Sequence, residues 1–522
     1  MIMDEKDYVL GIDIGTTSLK AVLFGSCGKV KAKESVGYPL YQPKPDWAEQ
    51  EPEEILQALI DAVRHVLIKG GIASNRVKAI GLSTAMHSLI ALDREGRPLT
   101  RSIVWTDNRS VKQSDALREN GGLNIYLRTG TPIHPMSPLC KILWLKEEAP
   151  EIFHNTAMFA GIKEFILHRL FGEYVVDYSI ASATGILDLS SLKWDEEVLQ
   201  LLDIDTSRLP RIVPTTEVLA GMDSGLANQM GLDPKIPFVI GASDGVLANL
   251  GVGAIGPGEV AVTIGTSGAV RMVTDAPLTD ERGRTFCYAL TDRHWVVGGP
   301  TNNGGIMLRW LRDEFASSEV EIAKRLGKDS YDLMIEYAEK VPAGAEGLLF
   351  LPFLTGERAP YWNPNARGVF FGISLRHRRE HFIRAVLEGV VLSIFSVGVA
   401  LRDLAGPANQ IIASGGFARS SVWRQILSDV MGKELLVPEV EEASALGAAA
   451  LAMYAIHELS SFEEVKSWVR ITHRHEPNLK SSEVYLQLFD MYERIYNKLE
   501  SDFELMAEFQ RSGDFEKATG KS

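Results

Sequence analysis

The sequence predicts an α/β protein built as two domains. Three observations carry that reading. The chain has 522 residues, more than one hydrophobic core normally organises. Apolar runs of strand length alternate with segments of helical period, the pattern of sheets with helices on both faces. One short unit also occurs twice: Leu10–Leu23 reads LGIDIGTTSLKAVL and Val260–Met272 reads VAVTIGTSGAVRM. Each is a strand, an Ile-Gly-Thr step, a small polar turn and a second strand. Their position at the head of each half points to duplication, with a boundary near residue 255 in the Gly/Pro-rich GAIGPGE.

Tyr8–Ile14 is nearly all apolar and reads as a buried strand. Gly15-Thr16-Thr17-Ser18 breaks it, and Leu19–Phe24 completes a hairpin. Residues 51–69 begin with acids and place Ile55, Leu59, Ala62, Val63 and Val66 on one helical face. Val77–Leu82 is a further strand, and residues 110–235 are mostly helix and loop. Pro237–Ile240 is a short strand ending in GASDG, and Glu259–Ile264 is a strand ending in GTSG. Gly347–Leu354 reads as a strand before the polar loop GERAPYWNPNARG. Helix, strand and helix succeed one another across 379–430, with the strand at Gln410–Ala413. Ala443–Tyr454 is a helix of small residues suited to close packing, and beyond about residue 505 the charged chain reads as a frayed tail. The expected division is a first domain at 7–255, a second at 256–456, and a helical extension with tail at 457–522.

With 45% hydrophobic and 23% charged residues, the composition is that of an ordinary globular protein. A formal net charge of −14 argues against a nucleic-acid partner. Any anionic ligand must then be held by local cations and backbone amides. The basic cluster Arg376, His377, Arg378, Arg379 reads as a solvated helix start. Cys27, Cys140 and Cys287 are odd in number and far apart, which suggests no disulfide framework and a reducing compartment. MIMDEKDYVL carries acids where a secretory leader needs bases, and no apolar stretch reaches about 18 residues. The expectation is a cytoplasmic protein without a membrane partner. A homodimer is compatible with the sequence.

The chemistry-bearing segments lie at strand ends. Asp13 is a carboxylate inside an apolar strand, which is costly without a partner. The turn after it offers backbone N–H groups and the hydroxyls of Thr16, Thr17 and Ser18, which suit phosphate oxygens, and Lys20 adds a cation. A Mg2+ between acid and phosphate would explain the combination; a polar β-turn satisfied by Asp13 is the plain alternative. Gly265-Thr266-Ser267-Gly268 supplies a similar donor set, and two such turns could hold the ends of a triphosphate. No GxxxxGK[ST] occurs, which argues against a P-loop. The GxGxxG at Gly251, Gly253 and Gly256 lacks a strand before and a helix after, and reads as a linker. Asp244, just past a strand end, is a candidate proton acceptor for an attacking hydroxyl, with a turn-forming Asp as the alternative. STAMHS brings Met86 and His87, and the next cluster brings Trp105, Asp107 and Arg109. An aromatic face with acids and amides suits a polyol. Gly305 and Gly416 stand in further glycine turns that permit close backbone approach.

Taken together, these segments resemble the FGGY carbohydrate kinases over about residues 8–455. The first family signature is matched by Met136 to Glu148, MSPLCKILWLKEE. The second is matched by Gly368-Val-Phe-Phe-Gly372-Ile through His381 to Glu388. The resemblance implies a two-domain actin-like ATPase (ribonuclease H-like) fold with ATP and sugar in the interdomain cleft. It implies Asp244 as catalytic base, Asp13 near Mg2+, and Thr16–Ser18 with Gly265 and Thr266 as phosphate motifs. Gly305, Gly416 and Ser420 fall where the family contacts the nucleotide, and His87, Trp105 and Asp107 in its sugar-facing segments. Within the family STAMHS and TDNRS are most similar to the gluconate kinases. Xylulose kinases typically show Gly-Gln-Met-His-Gly there and Asn after the base, where this chain has Gly245. Glycerol kinases show Arg-Glu in place of Met86-His87. A gluconate carboxylate would want a cation, for which Arg109 and Arg358 are candidates. The implied small-molecule substrate is a sugar or sugar acid, with gluconate favoured. An actin-like ATPase switch without a sugar substrate and a silent sugar-binding regulator are the readings from other classes.

Overall fold

The computed structural model describes residues 6–512. Two compact units form, neither contiguous in sequence. One comprises Met1–Pro257, Met272–Val297 and Val440–Arg470; the other comprises Gly258–Arg271, Gly298–Glu439 and Ile471–Ser522. The expected division into 7–255, 256–456 and 457–522 is contiguous, whereas these units are not. The small-residue helix Ala443–Ala455 packs in the first unit, and the long helix Leu479–Ser512 in the second.

The first unit is organised by a six-stranded sheet. Its strands are β1 (Tyr8–Ile14), β2 (Ser18–Phe24), β3 (Val30–Gly37), β4 (Val77–Thr84), β5 (Val218–Leu219) and β6 (Phe238–Ser243), in the order β5-β6-β4-β1-β2-β3. β6, β4 and β1 run parallel, while β1, β2 and β3 form an antiparallel meander. Alternation along β1 sends its side chains into two cores. Leu10, Ile12 and Ile14 join Ile55, Leu59, Ala62, Val63 and Val66 of helix Pro52–Gly70. Val9 instead joins the cluster containing Ala445, Ala448, Ala449 and Ala452.

Glycine lets the small-residue helix come this close. A Cβ at Gly11 would lie 2.2 Å from the Ala445 carbonyl oxygen, and one at Gly81 would lie 2.1 Å from that of Ala448. The neighbouring helix Asp244–Gly251 repeats the device: a Cβ at Gly251 would lie 1.9 Å from the Ala443 oxygen, and one at Gly447 2.0 Å from the Leu247 oxygen. Gly251, Gly253 and Gly256 therefore form no dinucleotide loop. Gly251 closes a helix at a backbone-on-backbone contact, and a turn succeeds it.

In the second unit β7 (Glu259–Ile264), β8 (Gln410–Ser414) and β9 (Leu435–Pro438) are parallel neighbours, with β10 (Ile471–His475) antiparallel at the edge. Gly347–Leu354 is strand only over Leu349–Leu351. Residues 110–235 also hold short strands, such as Val175–Asp177 paired with Arg211–Val213. The Arg376–Arg379 cluster is a solvated helix start. One expectation is overturned: helix Arg379–Ala405 is long and apolar enough to cross a membrane, although no such stretch was expected. Glu388 interrupts its apolar run. Here 78% of its most apolar window is buried, and Glu388 is paired with Arg384 and Tyr485. It is thereby a core helix. The helix Leu479–Ser512 continues through residues 505–512, where a frayed tail was expected; residues 1–5 and 513–522 lie outside the described residues.

The glycine approach makes a direct prediction. Gly81→Ala drives a methyl group into the Ala448 carbonyl, an overpacking that costs about 1–3 kcal/mol or more. A lower urea midpoint for the variant supports this; an unchanged midpoint counts against it.

Candidate active site

The parallel strands of the first unit end on one edge, and the acids sit there. Asp13 is level with Ser83 in the β1–β4 register, and Ser243 is level with Thr84 in the β6–β4 register. Asp244 is the first residue of the next helix. Ser83 Oγ donates to Asp13 Oδ1 at 2.7 Å. The Asp13 carboxyl is pushed up to about 7, first by burial and next by the like charge of Asp244; Ser83 and Lys20 oppose the rise. Lys20 is engaged elsewhere, its Nζ 2.7 Å from Glu442 Oε2. Asp244 Oδ1 accepts from the Gly245 N–H at 2.6 Å, and the Asp244 carbonyl accepts from Ser444 Oγ at 3.2 Å.

The turn after Asp13 is braced from outside. Tyr38 donates to the Gly15 carbonyl and Gln50 to the Thr16 carbonyl, each at 2.5 Å. Trp105 Nε1 donates to Thr16 Oγ1 at 2.8 Å, which ties the Trp105 cluster to the turn. Thr17 is exposed and Ser18 half-buried.

Of the STAMHS and TDNR residues, Met86 and Trp105 are half-buried and His87 is buried. His87 has a φ of 69° and places Nδ1 2.8 Å from the Ala183 carbonyl. Asp107 and Arg109 face inward. Asp107 accepts from the Ala48 N–H at 2.6 Å and from Arg109, whose guanidinium also reaches Glu49 at 2.6 Å and lies 3.7 Å over the Trp47 ring. The two charges brace a loop, and the Arg109 side chain is only 3% exposed. In the second unit Arg358 is likewise engaged, by Asn302 Oδ1 at 2.7 Å and the Thr301 carbonyl at 3.1 Å.

The second unit repeats the strand-end arrangement with neutral groups. Thr263 stands where the first repeat has Asp13 and is level with Ser414, their hydroxyl oxygens 3.0 Å apart. The turn Gly265–Ser267 comes next, with Thr266 exposed. Gly305 donates its N–H to the Gly265 carbonyl at 2.7 Å, and Gly304 to that of Thr266 at 3.1 Å. Gly415, with a φ of 100°, lies against the Ile264 carbonyl, and Gly416 beside it has open space around its Cα. The structure thus gathers Gly265, Thr266, Gly305 and Gly416 at one strand edge. Ser420 stands apart as a helix cap, its Oγ accepting from the Trp423 N–H at 3.1 Å.

Three buried groups that organise these loops were not singled out from sequence. Lys141, fully buried, donates to the carbonyls of His87, Ile103 and Val104 at 2.5, 3.1 and 3.0 Å, and burial lowers its ammonium to about 7. Glu357 accepts from the Asn302 N–H, the Asn303 amide and Ser393, shaping the turn before Gly305. Lys163 pairs with Asp177 at 2.7 Å. A charge inside an apolar run, as in PLCKILWL, is the sequence signal that could have found Lys141.

Two family models match the chain: the N-terminal domain of the FGGY family of carbohydrate kinases over residues 8–251, and its C-terminal domain over residues 260–456. The chain belongs to the FGGY family of carbohydrate kinases. It is 52% identical to the gluconokinase of Bacillus subtilis (strain 168), across 97% of this chain and 98% of that one. Among solved structures, the gluconate kinase of Lactobacillus acidophilus superposes with a TM-score of 0.91 at 35% identity, covering 96% of this chain and 99% of that one. A ligand-bound xylulose kinase from the same organism gives 0.91 and 35%, covering 96% and 100%. The chain is therefore a carbohydrate kinase with the family's two-domain α/β fold, acting on a small molecule.

The raised Asp13 carboxyl has a pH signature. Its folded value lies above the ordinary 3.8, so the folded state disfavours the charged form. The resulting destabilisation grows as pH rises from about 4 to about 7 and is fully present above that. Metal-free Asp13→Asn protein is expected to melt at higher temperature than the parent at pH 8, the gap closing toward pH 4. Equal melting temperatures across this range contradict the coupling.

Proposed function

We propose that this chain transfers the γ-phosphoryl group of ATP to a hydroxyl of D-gluconate, giving 6-phosphogluconate. The 52% identity to a gluconokinase over nearly the whole length carries the choice of acceptor. The paired acids at the first unit's strand edge support the chemistry.

Asp244 is the general base. Its carboxylate stands at a helix start, held by the Gly245 N–H, and takes the proton of the attacking hydroxyl. Asp13 is the Mg2+ ligand. Its donors are hard oxygens, and a cation there would offset both the burial and the repulsion from Asp244 that raise its carboxyl. Among the described residues no three His, Cys, Asp or Glu gather into a cage, which suits an ion that keeps waters and phosphate oxygens as its other ligands. When bound, Mg2+ supplies positive charge for the phosphate oxygens. The hydroxyls and N–H groups of Thr16, Thr17 and Ser18, and of Gly265 and Thr266, meet phosphate charge. The glycine surfaces at Gly305 and Gly416 accept the nucleotide, with Ser420 nearby in sequence as a helix cap. Met86, His87 and Trp105 face the acceptor, while Asp107 and Arg109 hold that loop in shape. The protein works in the cytoplasm, where its cysteines stay reduced, on a small acceptor and without a nucleic-acid or membrane partner. Xylulose is the second reading, favoured by the equal superposition on a xylulose kinase.

An ADP-release screen over gluconate, xylulose, ribulose, glycerol, fuculose and rhamnulose tests the acceptor. Gluconate is expected to exceed the others in kcat/KM by about 10²-fold or more; a pentulose in first place overturns the assignment. Asp244→Asn protein is expected to stay folded and lose about 10²–10⁴-fold in kcat. Near-parent turnover rules out Asp244 as the base.

A further inference from the structure

Asp244 is held from behind by a buried polar chain that the chemistry above does not use. β6 is irregular between Val239 and Ala242. Gly241 lies inside that stretch with a φ of 74°, and a Cβ there would fall 1.7 Å from the Leu82 carbonyl oxygen. A bulge near a strand end re-aims the residues beyond it, here Ser243 and Asp244. Two groups fix the re-aimed segment. Lys163 Nζ donates to the Ala242 carbonyl at 3.2 Å and to Asp177 Oδ2 at 2.7 Å. Ser179 Oγ accepts from the Ser243 N–H at 3.1 Å and donates to Ser243 Oγ at 2.9 Å.

Both lead to one short helix, Tyr178–Ser182. Asp177 caps it, its Oδ1 accepting from the N–H groups of Ser179 and Ile180 at 2.9 and 3.0 Å. Just past its other end, the Ala183 carbonyl lies 2.8 Å from His87 Nδ1. A carbonyl only accepts, so Nδ1 carries a proton. The segment 177–183 therefore touches both the residue before Asp244 and the ring of His87. The pair that anchors it is almost inaccessible, with side-chain exposures of 1% for Lys163 and 0% for Asp177. A buried ion pair is weak evidence for stability, since apolar replacements often do as well; fixing one geometry is the role that remains.

We propose that the buried Lys163–Asp177 pair, acting through Ser179 and Ala183, sets Asp244 and His87 in register with each other. Lys163, Asp177 and Ser179 are thereby positioning residues for the acceptor side of the reaction. This rests on Asp244 being the base and His87 facing the acceptor.

The test uses the full chain with Ser179→Ala, Asp177→Asn and Asp244→Asn measured side by side. Ser179→Ala removes one hydroxyl and leaves the ion pair, and Asp177→Asn keeps a capping oxygen while removing the charge. Each of these two is expected to lower kcat about ten-fold or more and to raise the KM for gluconate, with the KM for ATP within about two-fold of the parent. A merely structural role lowers the melting temperature or the active fraction and leaves both KM values alone. Folded Ser179→Ala and Asp177→Asn proteins with parental kcat and gluconate KM overturn the proposal, while a large loss in Asp244→Asn keeps the base assignment intact. Full activity in Asp244→Asn overturns both.

Discussion

At Gly81 the backbone of β4 lies against the carbonyl of Ala448, and at Gly11 that of β1 lies against Ala445. No side chain fits between helix and sheet at these points. This close approach brings a segment from residues 440–470 into the first unit, although the chain has by then passed through most of the second. It also fixes what lies at the helix start. Glu442 pairs with Lys20 across from Asp13, and Ser444 holds the Asp244 carbonyl. The acids of the strand edge thus depend on glycines that carry no chemistry themselves.

The two repeats use the same geometry for different electrostatics. In each, a residue level with a serine on the neighbouring parallel strand precedes an Ile-Gly-Thr turn. The first repeat puts a carboxylate there, raised by burial and by the nearby charge of Asp244. The second puts Thr263, which shares a neutral contact with Ser414. One strand edge thereby carries a carboxylate and the other a hydroxyl. The second edge is lined by Gly265, Gly305 and Gly416. The same topology with one changed side chain accounts for that electrostatic difference.

Much of the candidate site was legible because strand ends announce themselves. Asp13, Asp244 and the two threonine turns each come directly after a short apolar run, and a carboxylate or glycine there has few uses. The family signatures were legible as spaced identities. The inward orientation of Asp107 and Arg109 was not legible. A guanidinium two residues from a carboxylate looks the same in sequence whether it faces solvent or stacks on Trp47, which is distant in the chain. The buried cations Lys141 and Lys163 escaped for the same reason, since their partners include backbone carbonyls, which every residue has. The core helix Arg379–Ala405 was not legible as one apolar helix because Glu388 breaks the run in sequence, while in space Arg384 pairs with its charge and Tyr485 donates to it.

The sequence by itself determined the α/β class, the duplicated strand–turn unit, the family and the placement of Asp13 and Asp244 at strand ends. Each of these is written in local pattern: period, turn residues and spacing. Only the tertiary structure decided which segments share a compact unit, which charges face inward, and how far Asp13 and Asp244 influence each other. Those depend on distances between residues remote in the chain, set by packing as close as glycine allows.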